Sequence, residues 1–349
     1  MIGGRDLSLP EAQRASIQAE LVRLGARFFI KHGVPVGAGI EARRQRMHAY
    51  ERWVPRPPAG VETVATRLGG VPASLVSGPQ SARQSGLPRH ILFLHGGAYI
   101  AGSALIYRHI TWRFAMAAEA RLAVIDYRLA PEHPFPAALD DAAAAWRALL
   151  AGGADPRRCA VMGDSAGGGL ALALALKLRD RGEPLPAAIV ALSPWTDLAI
   201  TGQSCRHNAV FDPVLKSDDL KMLAAQYLGR ADPRDPYVSP LYGDPRGLPP
   251  TLLQVGSDEI LRDDSERMAQ RMREAGRDVT LEIWPRMPHV WHGFAPVLPE
   301  ARQAILRIGD FVRRWTAAEP LALFARARDR VADRKIDPEL RRDLGQPGW

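Results

Sequence analysis

The stretch that most limits what this chain can become is Met162-Gly163-Asp164-Ser165-Ala166-Gly167-Gly168-Gly169. It holds Gly-x-Ser-x-Gly, a pattern in which a serine sits on a strained turn between a strand and a helix, its hydroxyl in the open. The residues flanking the serine must be small because a Cβ would collide across so tight a turn, and glycine also tolerates the unusual backbone angles. In a chain with 31 glycines the pattern alone says little, but its surroundings supply the context. Cys159-Ala160-Val161-Met162 is a short apolar run suited to a buried strand. Residues 170–178 alternate Leu with Ala, lack any β-branched side chain and consist mainly of the two strongest helix formers, so they are predicted helical. Strand, serine turn and helix follow one another as the motif requires.

The rest of the chain repeats this alternation. A helix is predicted over residues 9–30, with Ser8 as its cap, Leu21, Leu24 and Phe28 at helical spacing, and Gly33-Val34-Pro35 as its stop. A second helix is predicted over 40–52. These helices either fold back over an active site or pack against the body. Residues 61–68 and 71–76 read as paired antiparallel strands around Gly69-Gly70. Further strands are expected at 91–94, 122–125, 187–192, 251–255 and 279–284, with helices at 107–118, 137–150, 263–275 and 299–316 between and after them. Such alternation implies parallel pairing in a doubly wound sheet. It breaks between 193 and 250, an insertion with one predicted helix at 217–228, and a charged tail follows 316.

Bulk properties exclude several classes. The formal charge of +8 comes from arginines interleaved with acids along the whole chain, which describes a solvated basic surface. No zinc-finger spacing or clustered basic-aromatic segment points to nucleic acid. Cys159 and Cys205 form no metal or redox motif, and a reduced, cytoplasmic setting is expected. Neither a signal-peptide run nor an uncharged transmembrane span is found, so no stable membrane insertion is expected.

A serine nucleophile needs a base, and the base needs an orienting carboxylate. In the fold that hosts this motif they follow the serine in the order acid, then histidine, each on a loop after a later strand. The loop Gly256-Ser257-Asp258-Glu259 offers Asp258 as the acid. Asp263 and Asp264 compete, but they stand where a helix begins and read as N-terminal helix charges. The loop Pro285–Gly293 offers His289 and His292. Oxyanion donors are expected from the backbone N–H groups of Ala166, Gly96 and Gly97. Tyr99, Trp195, Phe211 and Trp291 are candidate pocket walls.

Three segments, His95-Gly96-Gly97-Ala98, the run from Asp126 to Ala137 (DYRLAPEHPFPA) and Gly163-Asp164-Ser165-Ala166-Gly167-Gly168, resemble the hormone-sensitive-lipase-like family of bacterial carboxylesterases. The resemblance spans about residues 61–315. It implies an α/β-hydrolase fold, a mostly parallel doubly wound sheet with a helical cap built from residues 1–60 and 193–250. It also implies ester hydrolysis through an acyl-enzyme, no cofactor and no metal, and a small-molecule ester or lactone as substrate. A homodimer is the assembly to test for, since the sequence does not fix the oligomeric state. An amidase or arylformamidase on the same residues, and a non-catalytic ligand receptor, are the alternatives. His95, Asp164 and Glu132 would be structural. Many relatives place their catalytic histidine after a Met-x pair, which Met287-Pro288-His289 reproduces, so His289 is expected to be the base and His292 a supporting residue.

Overall fold

Eight short runs become strands of one sheet in the computed structural model, which describes residues 15–33, 37–79 and 88–317. They are β1 (Glu62–Leu68), β2 (Val71–Ser77), β3 (Arg89–Leu94), β4 (Ala120–Ile125), β5 (Cys159–Asp164), β6 (Ala188–Leu192), β7 (Thr251–Gly256) and β8 (Val279–Trp284). The order across the sheet is β1-β2-β4-β3-β5-β6-β7-β8. β1 pairs antiparallel with β2 through the Gly69-Gly70 turn, where both glycines have positive φ, and β2 runs antiparallel to β4. The remaining pairings are parallel. β3 from Ile91 onward, and β5 and β6 along almost their whole length, are apolar because helices cover both faces.

The helices Ala137–Ala151, Ala166–Asp180 and Arg262–Glu274 bury one face of the sheet, together with Leu220, Leu223 and Tyr227 from the helix Ser217–Leu228. Ala104–Ala118 and Pro299–Trp315 bury the other. The seam between these two is tight at Gly309, where a Cβ would strike the carbonyl of Ala117. A parallel arrangement puts the carboxyl ends of β3, β5, β6, β7 and β8 on one edge, where ligands bind in open α/β sheets.

The predicted element types hold, with corrections at the ends. The first described helix, Ile17–Gly25, is capped by Ser16, whose Oγ accepts from the Ala19 N–H at 3.1 Å, and runs on as a π-helical turn over Ala26–Lys31. The predicted cap Ser8 lies outside the described residues, as does the charged tail. The compact unit that holds the sheet reaches Thr316.

The first helix sits the opposite way round from its sequence pattern. Ile17, Leu21, Leu24 and Phe28 face outward, each at least 60% exposed, and the polar side faces the body. Ser16 bonds the Glu300 carboxylate, Glu20 pairs with Arg286, and Arg23 pairs with Asp258 at 2.9 Å. Lys31 reaches the carbonyls of Ala209 and Asp212. The helix Ile40–Glu51 is fastened similarly, with Arg43 on Asp219 and Arg44 on Glu132 and the carbonyls of Ile100 and Ala130.

Candidate active site

Ser165 is the junction between β5 and the helix Ala166–Asp180, and it takes φ 54°, ψ −122°. A non-glycine residue there is strained and must be held by its surroundings. Its N–H donates to Leu192 O at 2.8 Å and its carbonyl accepts from Trp195 N at 2.9 Å, so the backbone is clamped on both sides. The flanking glycines are sterically required. A Cβ on Gly163 would meet the Gly167 and Leu94 carbonyls, and one on Gly167 would meet the carbonyls of Leu94 and His95.

The loop after β3 departs from expectation. Gly96 N–H donates to Asp164 Oδ1 and to the Tyr107 hydroxyl, both at 3.0 Å, and is therefore spent inside the protein. Gly97 and Ala98 follow at φ 112° and 54°, and neither N–H has a hydrogen-bond acceptor among the described residues. Ala166 opens a helix, so its N–H has no intrahelical partner. The free donors are therefore Gly97, Ala98 and Ala166, one residue further along than the predicted pair. Asp164 is what displaces them: it is buried, and burial raises its pKa to about 6 although Tyr107 O–H at 2.7 Å and Gly96 N–H hold it down. His95 holds the loop from beneath, with Nδ1 on Gly96 O at 2.7 Å and its ring stacked 4.3 Å from Tyr127.

The carboxylate that meets His289 lies one position beyond the expected Asp258. His289 Nδ1 lies 2.8 Å from Glu259 Oε2, with both side chains buried. Asp258 points away and pairs with Arg23 and with the Ser257 hydroxyl. The two neighbours leave the loop in opposite directions, and the inward one is the glutamate. Burial pushes the Glu259 carboxyl up, and its bond to His289 only partly offsets this. Burial pulls the His289 imidazole down, but Glu259, Asp212 and Asp164 outweigh it and leave the ring above its ordinary value. Because a carboxylate only accepts, Nδ1 carries the proton and Nε2 keeps its lone pair for a reacting group.

His292 is placed differently. Its Nε2 meets Gln254 Oε1 at 2.7 Å, and Gln254 Nε2 in turn donates to Glu282, which fixes the amide. The nitrogen that would act as base is thus a donor in a buried chain that ends on Arg307. Burial lowers its pKa to about 3. Asp263 and Asp264 occupy the first turn of their helix, but their carboxylates fasten the insertion, Asp263 on Ser204 N and Asp264 on Thr196 N and Asp197 N.

Three of the four predicted pocket walls belong to the core instead. Tyr99 stacks on Tyr227 at 3.6 Å, Trp195 donates to Asp197 O, and Trp291 packs between Trp284 and His292. Each is at most 1% exposed, whereas Phe211 is 54% exposed. A cavity of about 370 Å³ lined by Arg44, Met47, Gly102, Ile106 and Glu132, among others, contains none of the candidate catalytic residues.

The alpha/beta hydrolase fold family profile matches residues 91–293. An acetyl-hydrolase of Streptomyces hygroscopicus is 48% identical over 260 residues, covering 74% of this chain and 84% of its own. The structure of an esterase from the bacterial hormone-sensitive lipase family superposes with a TM-score of 0.81 at 42% identity, over 87% of this chain and all of that one. The chain belongs to that family. A carboxylesterase/phospholipase of Mycobacterium tuberculosis is 33% identical over 324 residues, which is 90% of this chain and 86% of that protein. The protein is accordingly a hydrolytic enzyme, and no helix among its described residues is long and apolar enough to cross a membrane.

Within this hormone-sensitive-lipase-like scaffold, sequence reasoning missed Glu259, Tyr107, Asp212 and Ser193. Glu259 stood beside the chosen Asp258, and the signal that separates them is Arg23, whose side chain claims the aspartate across 235 residues of chain. Nothing local marks Asp212, which lies in the insertion yet accepts from Ile260 N at 2.9 Å and so steadies the acid loop. Asn208 does the same through the carbonyls of Ser257 and Glu259.

Proposed function

We propose that the protein hydrolyses short to medium acyl carboxylic esters through an acyl-enzyme formed on Ser165. The buried His289–Glu259 pair carries this reading, because it leaves Nε2 as a base at the sheet edge that also carries strained Ser165. In this mechanism Ser165 Oγ attacks the ester carbonyl carbon while His289 Nε2 takes the hydroxyl proton. The carbonyl oxygen becomes an oxyanion and accepts from the N–H groups of Gly97, Ala98 and Ala166. Collapse breaks the bond to the alcohol oxygen, which leaves with the proton from His289. Water then attacks the acyl-enzyme by the same route, and Ser165 is restored. Glu259 stays ionised and keeps the imidazole in the tautomer the base needs.

The preference for acetyl to octanoyl chains rests on the acetyl-hydrolase likeness and on the insertion and N-terminal helices acting as a cap. The test is a panel of p-nitrophenyl esters of rising chain length with a lactone and an anilide, run on wild type and Ser165→Ala. Wild type favours the short and medium esters and is labelled at Ser165 by a serine-directed organophosphonate. Ser165→Ala stays folded and loses several orders of magnitude in turnover. Substantial turnover in that variant overturns the serine mechanism, a preference for the anilide favours an amidase, and efficient hydrolysis of emulsified long-chain fat removes the chain-length limit.

A further inference from the structure

We propose that Ser193 is a positioning residue whose hydroxyl ties the acid loop to the histidine loop and sets the pH at which the base becomes competent. The inference rests on the Ser165–His289–Glu259 reading above. Ser193 directly follows β6, is fully buried, and takes φ 44° although it is not glycine. Its N–H is held by Gln254 O of β7 at 2.7 Å. Its Oγ donates to Glu259 Oε1 at 2.7 Å and accepts from the N–H of Val290, the residue after His289, at 3.2 Å. Val290 is itself at φ 51°. Two strained residues therefore face each other across one hydrogen bond, and such strain persists only where the surroundings hold it.

The consequence for Glu259 is a full set of partners. Oε1 accepts from Ser193 O–H and from Gly256 N–H at 2.6 Å, and Oε2 accepts from His289. Without the Ser193 donor, more of the carboxylate's charge is left for the imidazole, which then holds its proton to higher pH. The other groups facing His289 are Asp212 of the insertion, Asp164 of β5 and neutral His292 of its own loop, and Ser193 touches none of their side chains. The same four-residue segment also clamps the nucleophile, since Leu192 O and Trp195 N hold the Ser165 backbone. All three catalytic residues are thus referenced to 192–195, while Ser193 itself never needs to meet substrate.

The experiment compares the pH profiles of kcat and kcat/KM for wild type, Ser193→Ala and Ser193→Gly with Ser165→Ala as the control. In Ser193→Ala, kcat falls roughly ten- to a hundredfold, the cost of one hydrogen bond to a charged group, with KM changed by no more than about twofold. Its acidic limb moves to higher pH. Ser193→Gly accepts a left-handed φ without strain, so it decides the question on the same readouts if the alanine variant does not fold. An unchanged kcat overturns the proposal, and so does a fall in kcat with the acidic limb unmoved, which marks a merely structural residue. An active Ser165→Ala control instead removes the underlying triad, so the two failures are told apart.

Discussion

At the scale of single residues, the side chains that matter most are two adjacent acids that serve different masters. Asp258 neutralises Arg23 and Glu259 orients His289. Glu259→Gln keeps the shape, but with Ser193 and Gly256 donating to Oε1 its NH2 group faces Nδ1 and forces the ring into the wrong tautomer, and kcat falls by about 10³–10⁴. Asp258→Asn keeps most of the turnover, because its loss falls on the Arg23 contact. Steady-state rates at saturating ester decide between them, and the opposite pattern would return the acid to Asp258. The pH profile follows from the same pair. With the folded pKa of His289 above its ordinary 6.5, the imidazole stays protonated to higher pH, so the acidic limb of kcat/KM lies above about 6.5. The strained turn at Ser165 was legible from its flanking glycines, and the loop histidine that meets a carboxylate from its Met-x spacing. The carboxylate that bonds this histidine was legible only to within one position, because side-chain direction in an irregular loop has no period to read. Gly96 misled for a related reason: an N–H that looks free in sequence was already claimed by Asp164, 68 residues away.

At the scale of elements, periodicity carried almost everything. β8 and the helix Ser217–Leu228 lie where the pattern of apolar residues put them, and most other ends shift by a residue or two, though the helix Ala104–Ala118 begins three residues early and Ala166–Asp180 four. The short helix Ser204–His207 and the 3₁₀ turn Trp291–Phe294 were not legible, since four residues make too little pattern. Packing sets the sensitivity of each element more finely than propensity does. Gly309→Ala drives a Cβ into the Ala117 carbonyl and must pry two helices apart, at a cost of about 1–3 kcal/mol. Gly25→Ala stands at helical φ −60° with no atom within 4 Å of the new Cβ and gains roughly 0.4–1 kcal/mol by restricting the unfolded chain. Urea midpoints at constant m-value measure both, and equal shifts would contradict the packing argument.

At the scale of the whole molecule, two kinds of attachment coexist. The sheet and its flanking helices are joined by apolar burial, while the first helix is joined through charged and polar side chains with its apolar stripe turned outward. An apolar stripe at helical spacing ordinarily faces a core, and the ion pairs that reverse it here join residues more than 200 positions apart. Acid loosens this joint. The Glu20 carboxyl is held below its ordinary value, chiefly by its hydrogen bond from Arg286, so that contribution is present above about 4.5 and is lost as pH falls through the lower folded value. Salt reaches the same contacts by another route. Arg286 stands three residues before His289 and Asp258 one before Glu259, so both joints sit on the loops that carry the His289–Glu259 pair. Raising ionic strength from about 0.1 M to about 1 M shortens the Debye length from about 10 to about 3 Å. Turnover then declines by a small factor while the melting temperature of the sheet stays level, and Arg23→Ala blunts that decline; an equal salt response in the variant would show that the helix and the catalytic loops are uncoupled. For this enzyme, ionic strength becomes a dial on catalysis that leaves the fold untouched.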